Sequence, residues 1–449
     1  MHIVIIGNGI TGVTCARYIR KMSNHKITLI SAETDHFFSR TALMYIYMGH
    51  MKYENTKPYE DWFWTKNRID LKRAYVETID TDNKKLLFKG GSDLTYDKLV
   101  IACGSKPNKF GWKGQDLEGV QGLYSYQDLE LLEKNTKVLP KRAVIVGGGL
   151  IGIELAEMLH SRHIPVTLLV REDSFWNNVL PAGESALVTR HILEHGFDLR
   201  LGVNLGEIIA DGNGRAKGVV VKETGEQIDC QLVGLTAGVS PNIDFLKDSN
   251  IELERGVLVN LYQETNIPDV YAAGDCAQFR EPVAGRRPLE QVWYTGKIQG
   301  QVVAQNICGE ATTYDPGHWF NSAKFLDIEY QTYGWVFPTL REGETDFYWE
   351  HADGTKCLHF VWNKNTGKFI GLNTFGIRLR HEIFDRFLRD ERDISYIIKN
   401  LKAANFDPEF YKKYEEDIVA KFNKATGKNI KLQKEGGLQR VWSLLTKKK

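Results

Sequence analysis

The sequence has few cysteines, and none of them lie close together. No C-x-x-C or C-x4-C spacing occurs among the six, which are Cys15, Cys103, Cys230, Cys276, Cys308 and Cys357. This scatter argues against zinc, against an iron–sulfur cluster and against a local redox disulfide. We therefore expect free buried thiols and predict no metal site.

Long apolar runs and an excess of charge of one sign are also absent. No segment approaches the roughly 20 apolar residues of a membrane span, and the N-terminal apolar stretch, about six residues long, is too short for a signal peptide. The net charge of +1 gives no reason to expect nucleic acid as a partner. At 449 residues, the chain is predicted to form two or three globular domains. We expect a cytoplasmic protein.

Two stretches combine a short apolar strand, closely spaced glycines and an apolar segment at helical spacing. One begins at Met1, and the other spans residues 141–154. Glycines in such a turn let backbone N–H groups and the positive end of a helix meet a pyrophosphate, because a Cβ would keep the phosphate away. Two such units in one chain suggest two dinucleotides. The candidate residues are Gly7, Gly9 and Gly12 in the first turn and Gly147, Gly149 and Gly152 in the second.

An acid about 20 residues after such a turn accepts a hydrogen bond from a ribose hydroxyl. Glu33 and Glu172 are the candidates for the first and second units. Glu172 favours NADH, whereas the adjacent Arg171 could hold the 2′-phosphate of NADPH. Both nucleotides stay open, with NADH favoured.

Further candidates follow predicted strands. Arg40, in an aromatic and basic loop, could meet cofactor phosphates or flavin. Small residues allow close backbone approach after two strands, at Ala102, Gly104 and Gly238. Gly274 and Asp275 stand at the carboxyl end of a strand, where a parallel sheet places its ligands, and Asp275 could accept hydrogen bonds from a ribitol or ribose.

Five motifs in this order resemble those of the two-dinucleotide-binding flavoproteins, the pyridine nucleotide–disulfide oxidoreductase family. They are GNGITG (7–12), VIACGSKPN (100–108), VGGGLIGIE (146–154), LTAGVSPN (235–242) and TNIPDVYAAGDC (265–276). Within the family, the chain looks most like the NADH–rubredoxin and ferredoxin reductase branch. That branch has a Ser-Arg loop, as at Ser39-Arg40, and a Glu-x-x-Trp…Gln-Gly segment, as at Glu290, Trp293, Gln299 and Gly300.

The resemblance implies an α/β fold with two Rossmann-like domains and FAD and NAD(P)H as cofactors. The first turn and Gly274-Asp275 would hold FAD, and the second turn NAD(P)H. Arg40 would contact FAD, Glu154 would lie near the nicotinamide–flavin contact as a catalytic residue, and Glu290 and Trp293 would flank the flavin ring. The implied domains are an FAD domain in two segments (1–112 and 238–320), an inserted NAD(P)H domain (113–237) and a C-terminal α+β interface domain (321–449) with a helical tail.

The chain departs from the family in three ways. Ser39, Arg40 and Thr41 stand where some members carry a redox cysteine, which makes dithiol chemistry a poor fit. No lysine follows Arg40 through residue 49, so the group near flavin N5 is open. The C-terminal region is longer than usual, with strands predicted at 325–336, 347–350, 357–362 and 369–372 and helices at 381–388 and 394–401.

Together these features predict an FAD-dependent NAD(P)H oxidoreductase whose electrons leave for a small electron-carrier protein. Two alternatives stay open. One is a peripheral membrane NADH–quinone reductase that touches the membrane through the apolar residues and lysines of 438–449. The other is a redox-sensing interaction protein that resembles apoptosis-inducing factor. A homodimer is compatible with all three.

Overall fold

The computed structural model describes residues 1–407 and 412–433. The predicted C-terminal tail therefore lies outside the described residues. The chain divides into two compact units: unit 1 comprises residues 1–169 and 204–316, and unit 2 comprises residues 170–203 and 317–449. Among the described residues, we find no helix with the length and apolarity needed to span a bilayer.

The strands are β1 (His2–Ile6), β2 (Lys26–Ser31), β3 (Ile69–Arg73), β4 (Val76–Asp80), β5 (Lys85–Phe88), β6 (Asp93–Thr95), β7 (Lys98–Ile101), β8 (Ser105–Pro107), β9 (Val120–Gln121), β10 (Ala143–Val146), β11 (Val166–Val170), β12 (Asp198–Leu201), β13 (Leu205–Ala210), β14 (Ala216–Val221), β15 (Gln227–Asp229), β16 (Leu232–Leu235), β17 (Val239–Pro241), β18 (Val257–Val259), β19 (Val270–Ala272), β20 (Ala277–Phe279), β21 (Phe320–Phe325), β22 (Ile328–Gly334), β23 (Glu344–Glu350), β24 (Cys357–Asn363) and β25 (Phe369–Phe375). The α-helices are α1 (Ile10–Met22), α2 (Leu43–Tyr47), α3 (Trp62–Lys66), α4 (Tyr126–Thr136), α5 (Leu150–Ser161), α6 (Ala182–Glu194), α7 (Trp293–Ile307), α8 (His381–Arg389), α9 (Ile394–Lys399) and α10 (Glu415–Thr426).

Unit 1 contains two parallel sheets, and in each of them one strand, β1 or β10, leads into a glycine turn. In the first sheet the strand order is β19-β7-β1-β2-β3. In the second, β10 lies between β11 and β16, and β16 also pairs with β9. The strands β1, β7, β10 and β16 are nearly continuous apolar segments that are buried on both faces. This pattern is expected of parallel strands in a sheet covered on both faces. These two sheets confirm the predicted α/β class.

Residues 229–235 are divided between two strands. β15 pairs with β14 and ends at Asp229, whereas β16 starts at Leu232 and pairs with β10. Between them the backbone N–H of Cys230 donates to Lys217 and that of Gln231 donates to Arg142. The chain changes hydrogen-bonding partner at these two residues, and a run of apolar letters does not reveal such a change.

Unit 2 is built on an antiparallel sheet in the order β21-β22-β25-β24-β23. Alternate residues of β24, Leu358, Phe360 and Trp362, belong to a core that also holds Phe384 of α8 and Phe422 of α10. This antiparallel region was predicted, but the predicted strand 325–336 begins too early. Leu326 and Asp327 form a two-residue turn between β21 and β22, with Phe325 opposite Ile328.

Unit 2 also holds a charged cluster around the buried His359, on the other side of β24. His359 Nδ1 lies 2.9 Å from Glu184 Oε1, and its Nε2 lies 2.7 Å from Asp346 Oδ2. Asn373 donates to the second oxygen of Glu184 at 2.8 Å. Burial lowers the pKa of His359, but the hydrogen bonds to Asp346 and Glu184 outweigh it and raise that pKa to about 9. His359 is therefore a buried cation at neutral pH.

Candidate functional site

The first glycine turn joins β1 to α1 and is too tight for side chains at two of its three glycines. Gly7 has φ of +111°, and a Cβ there would lie 2.1 Å from the carbonyl oxygen of Ala102. A Cβ on Gly12 would lie 1.9 Å from the carbonyl oxygen of Gly7. Gly9 differs, because a Cβ there would meet nothing within 4 Å. Packing requires glycine at positions 7 and 12, whereas the space beside Gly9 is open.

The N-terminus of α1 lacks a side-chain cap. Gly9 is the N-cap, no side chain caps the helix, and no acid lies in its first turn. Helix N-termini are normally capped by Ser, Thr, Asp or Asn. An uncapped N-terminus behind an open glycine position is the arrangement that receives a phosphate.

The helix α7 packs against the same turn through glycines. A Cβ on Gly274, Gly296 or Gly300 would lie 2.4–2.7 Å from backbone or side-chain oxygen atoms of Thr11. The N–H of Gly274 donates to the buried Gln299 Oε1 at 2.6 Å. This packing holds the Gly274-Asp275 segment beside the first turn. Thr11 and Gly296 were not among the predicted site residues.

Asp275 is the centre of a polar network. Ser105 Oγ lies 3.3 Å and Tyr124 Oη 3.4 Å from Asp275 Oδ2, and Gln291 Nε2 donates to Ser105 Oγ at 2.7 Å. Burial raises the pKa of Asp275, and the hydrogen bond from Ser105 and the nearby charge of Arg40 oppose that rise. Asp275 and its neighbours thus present hydrogen-bonding oxygens beside the first turn.

Glu33 and Arg40, predicted separately, form an ion pair. Arg40 Nη1 and Nη2 donate to Glu33 Oε1 and Oε2 at 2.8 and 2.6 Å. Arg40 also donates to the carbonyl oxygen of Tyr124 at 2.6 Å, and its guanidinium lies over the Tyr124 ring at 4.6 Å. The N–H of Tyr126 donates to Glu33 Oε1 at 2.8 Å. Their predicted contacts with FAD stay predictions.

Sequence reasoning missed Tyr124, which contacts both Arg40 and Asp275. A local signal for its position does exist. Ser125 and Asp128 form a capping box, in which Ser125 accepts from the Asp128 N–H at 3.1 Å and Asp128 accepts from the Ser125 N–H at 2.8 Å. The S-x-x-D spacing marks the start of α4 and places Tyr124 just before it, but nothing local reveals its partners.

The second glycine turn joins β10 to α5 and repeats the geometry of the first. Gly147 has φ of +127°, and a Cβ there would lie 2.7 Å from the Thr236 carbonyl oxygen. A Cβ on Gly152 would lie 2.5 Å from the Gly147 carbonyl oxygen, whereas one on Gly149 would meet nothing within 4 Å. Gly149 is the N-cap of α5, again with no side-chain cap and no acid in the first turn.

Several predicted residues lie around these turns. Glu154 is half-buried on α5. Gly104 and Gly238 have φ of +70° and +85° and flank the short antiparallel pair formed by β8 and β17, which brings the motifs at 100–108 and 235–242 together. Ala102 is buried, and its carbonyl oxygen lies so close to Gly7 that a side chain at position 7 would collide with it.

Glu290 and Trp293 occupy different environments. Glu290 is buried, forms an ion pair with Arg286 and accepts a 2.5 Å hydrogen bond from Tyr314 Oη. Trp293, the first residue of α7, is 41% exposed. Glu290 thus has two structural partners that its motif did not indicate, and the placement of both residues beside a flavin stays a prediction.

In unit 2, Glu172 and Arg171 contact each other. Arg171 Nε donates to Glu172 Oε1 at 2.8 Å. The Arg171 side chain is 71% exposed and that of Glu172 only 18%. All six cysteines are free thiols.

Both turns fit a dinucleotide. Each supplies an open glycine position in front of an uncapped, acid-free helix N-terminus, at the end of a parallel sheet. The first turn adds Asp275 and its network as acceptors for hydroxyl groups. FAD would be held by the turn of residues 7–12 with Asp275, and NAD(P)H by the turn of residues 147–152.

The family model described as pyridine nucleotide-disulphide oxidoreductase matches residues 1–305. The chain belongs to this family. Its members are FAD-binding oxidoreductases that use NAD(P)H, so the predicted family, enzyme class and cofactor class are confirmed. The NADH-rubredoxin oxidoreductase of Clostridium acetobutylicum is 30% identical over 319 residues, which cover 70% of this chain and 76% of that protein.

Two further similarities extend beyond the matched region. The assimilatory nitrate reductase electron transfer subunit of Bacillus subtilis is 28% identical, and the alignment covers 89% of this chain but 51% of that protein. The chain thus spans about half the length of this relative, and less of the B. subtilis nitrite reductase, of which 38% is covered. The NAD-dependent persulfide reductase from A. fulgidus has the same fold, with a TM-score of 0.80 over 95% of this chain and 84% of that one, at 22% identity.

Proposed function

We propose that this chain oxidises NADH and passes the electrons through bound FAD to a separate small redox protein. The observation that carries the proposal is the pair of equivalent turns in unit 1, each with an open glycine position before an uncapped helix. One turn alone would suit any nucleotide. Two turns in one chain suit a donor and an acceptor dinucleotide.

The flavin supplies hydride acceptance and one-electron release when it is bound. The protein's part is binding and orientation. The N-termini of α1 and α5 would stabilise the negative charge of the two pyrophosphates, and Asp275 would orient a polyol or ribose by accepting hydrogen bonds from its hydroxyl groups. Glu154, on the helix that begins at the second turn, would adjoin the nicotinamide, as the family resemblance implies.

The preference for NADH is supported by the Arg171–Glu172 pair. Glu172 supplies the acceptor that a free ribose 2′-hydroxyl needs. Arg171, the residue that could hold a 2′-phosphate, is engaged with that same carboxylate. A 2′-phosphate would have to displace the carboxylate from the arginine and would also be repelled by it.

A separate acceptor protein is supported by relatives and by the cysteines. Relatives are named rubredoxin-NAD(+) reductase and NADH-rubredoxin oxidoreductase, and a chain of the same fold is seen in a covalent putidaredoxin reductase–putidaredoxin complex. The six free cysteines are spread along the chain, and none stands at positions 39–41, where some members carry the redox cysteine.

The test is anaerobic stopped-flow absorbance of the FAD-loaded protein mixed with NADH or with NADPH. We expect rapid bleaching of the flavin band, faster with NADH. The reduced protein is then mixed with oxidised rubredoxin, a [2Fe–2S] ferredoxin, a soluble quinone or oxygen, and we expect fastest reoxidation by one of the two proteins. If neither nucleotide reduces the loaded flavin, the proposed reaction is wrong. If only quinone or oxygen reoxidises it, the proposed acceptor is wrong.

A further inference from the structure

Unit 2 holds a cluster of two histidines and an aspartate, none of which is a predicted cofactor residue. His191 and His195 are one helical turn apart at the C-terminal end of α6, with ring centroids 4.3 Å apart. Asp327 lies in the two-residue turn between β21 and β22. The ligand atoms of the three residues all lie within 4.8 Å of one another.

The distances suit a metal ion at little cost in rearrangement. Asp327 Oδ1 is 2.5 Å from His191 Nε2 and 3.5 Å from His195 Nε2. With zinc–ligand bonds of about 2.0–2.2 Å, two ligands of a tetrahedral site lie roughly 3.4 Å apart. The longer distance already matches, and the shorter one requires Asp327 to withdraw by roughly 1 Å. The Asp327 side chain is 73% exposed and free to make that movement.

The second ring nitrogen of His195 is already oriented as in protein metal sites. His195 Nδ1 lies 2.9 Å from the carbonyl oxygen of His191, one helical turn earlier. When Nδ1 donates its proton to that carbonyl, Nε2 keeps the lone pair that faces Asp327. Metal-ligating histidines are typically held this way, with the other N–H bound to a carbonyl or carboxylate.

Aromatic packing joins the end of β21 to the segment that precedes α6. Phe325, two residues before Asp327, is fully buried and lies 5.4 Å from the ring of Trp176 and 6.4 Å from that of Phe175. Leu326 has φ of +56°, a conformation that hairpin turns usually give to glycine. This backbone conformation is unfavourable for leucine. It occurs in the turn that also contains Asp327.

We propose that His191, His195 and Asp327 bind one divalent transition metal ion of the zinc class. Two imidazoles and one carboxylate form a set of ligands that suits Zn²⁺, with water or an external ligand completing a tetrahedron. The ion would join α6 to the β21–β22 turn, two parts of unit 2 that are 136 residues apart in sequence. The prediction of no metal site follows from cysteine spacing, which carries no information about histidine and aspartate ligands.

The test uses the untagged full-length protein, freed of metal by a chelator and dialysed. Calorimetric titration with Zn²⁺ alone, with metal content measured in parallel, is expected to show one ion per chain. His195→Gln removes a ligand at a half-buried position and is expected to weaken binding by at least about 10-fold, since even the loss of a supporting residue around a metal site costs about that much. Asp327→Asn, at an exposed position, is expected to weaken it less. Co²⁺ should give the intense visible absorption of a tetrahedral site.

The matched control is His318→Gln. His318 Nδ1 also faces an aspartate, Asp385 Oδ1 at 3.1 Å. Among the described residues, this pair is not part of a group of three ligand atoms close enough to share a metal ion. This variant is expected to bind Zn²⁺ like the unaltered protein.

The proposal is overturned if the unaltered protein shows no saturable Zn²⁺ binding, or if His195→Gln binds as tightly as the unaltered protein. Circular dichroism checks that each variant is folded. If His195→Gln is not folded, undiminished binding by Asp327→Asn is the overturning result.

Discussion

The glycine at position 9 separates the needs of the fold from the needs of a ligand. Its backbone has φ of −71° and ψ of −176°, which alanine adopts without strain, and a Cβ would meet nothing within 4 Å. Replacing an N-cap glycine by alanine costs up to about 1 kcal/mol at the cap and regains about 0.4–1 kcal/mol from the stiffer unfolded chain. We therefore expect Gly9→Ala to change the free energy of unfolding of the apoprotein by less than about 1 kcal/mol.

The same methyl group is expected to weaken FAD binding strongly. It would occupy the space in front of the α1 N-terminus and keep a pyrophosphate away from at least one backbone N–H. A hydrogen bond to a charged group contributes about 1.5–3 kcal/mol, so FAD should bind roughly 10- to 150-fold more weakly. Flavin fluorescence during titration of the apoprotein measures the affinity, and urea unfolding of the same apoprotein measures stability.

Gly12→Ala is the contrasting control in the same turn. Its Cβ would lie 1.9 Å from a backbone oxygen, so the apoprotein itself should lose about 3 kcal/mol or more. The reasoning is refuted if Gly9→Ala binds FAD with unaltered affinity, or if it destabilises the apoprotein as much as Gly12→Ala does.

Three further predictions follow from other parts of the chain. Gly149→Ala, the same change in the second turn, should leave FAD content unaltered and raise the KM for NADH by about 10-fold or more, measured by flavin reduction at varied NADH. Asp275→Asn should weaken FAD binding by about 10-fold, measured by fluorescence titration, because the amide is a poorer acceptor for hydroxyl groups than the carboxylate. The third concerns His359, whose pKa is raised to about 9 in the folded protein. A raised pKa stabilises the fold fully below the unfolded value of about 6.5, and that contribution is lost as pH rises through about 9. It amounts to about 3 kcal/mol, so urea unfolding should show stability falling from pH 7 to about 10, and His359→Gln should lose most of that slope. An equal slope in the variant would contradict the assignment.

The parts of the molecule that were predictable have local causes. A strand that runs into glycines and then into a helix is encoded within about 20 contiguous residues, and both turns were located this way. The helix predicted at 381–388 is found at His381–Arg389 because Ile383, Phe384 and Phe387 share one buried face. The helix predicted at 394–401 ends at Lys399 and continues as a short 3₁₀ turn over Leu401–Ala404.

The parts that were missed depend on partners distant in sequence. Tyr124 contacts Asp275, 151 residues later, and His191 contacts Asp327, 136 residues later. The predicted domain division stays a prediction, and the compact unit that contains residues 170–203 also contains the C-terminal region. Spacing rules do not identify such pairs, because they describe only what one turn of helix, one strand or one loop can bring together.

The pairing of Glu33 with Arg40 changes what each can offer a cofactor. A carboxylate has about four lone-pair sites, and three of those on Glu33 are used by the two Arg40 nitrogens and the Tyr126 N–H. Among the residues that the structure describes, one site on Oε2 is left. Glu33 can therefore accept one ribose hydroxyl without releasing any donor, and accepting both hydroxyls would require displacing an Arg40 nitrogen or the Tyr126 N–H. Arg40, its charge already balanced by Glu33, is better suited to orienting that carboxylate than to neutralising a phosphate.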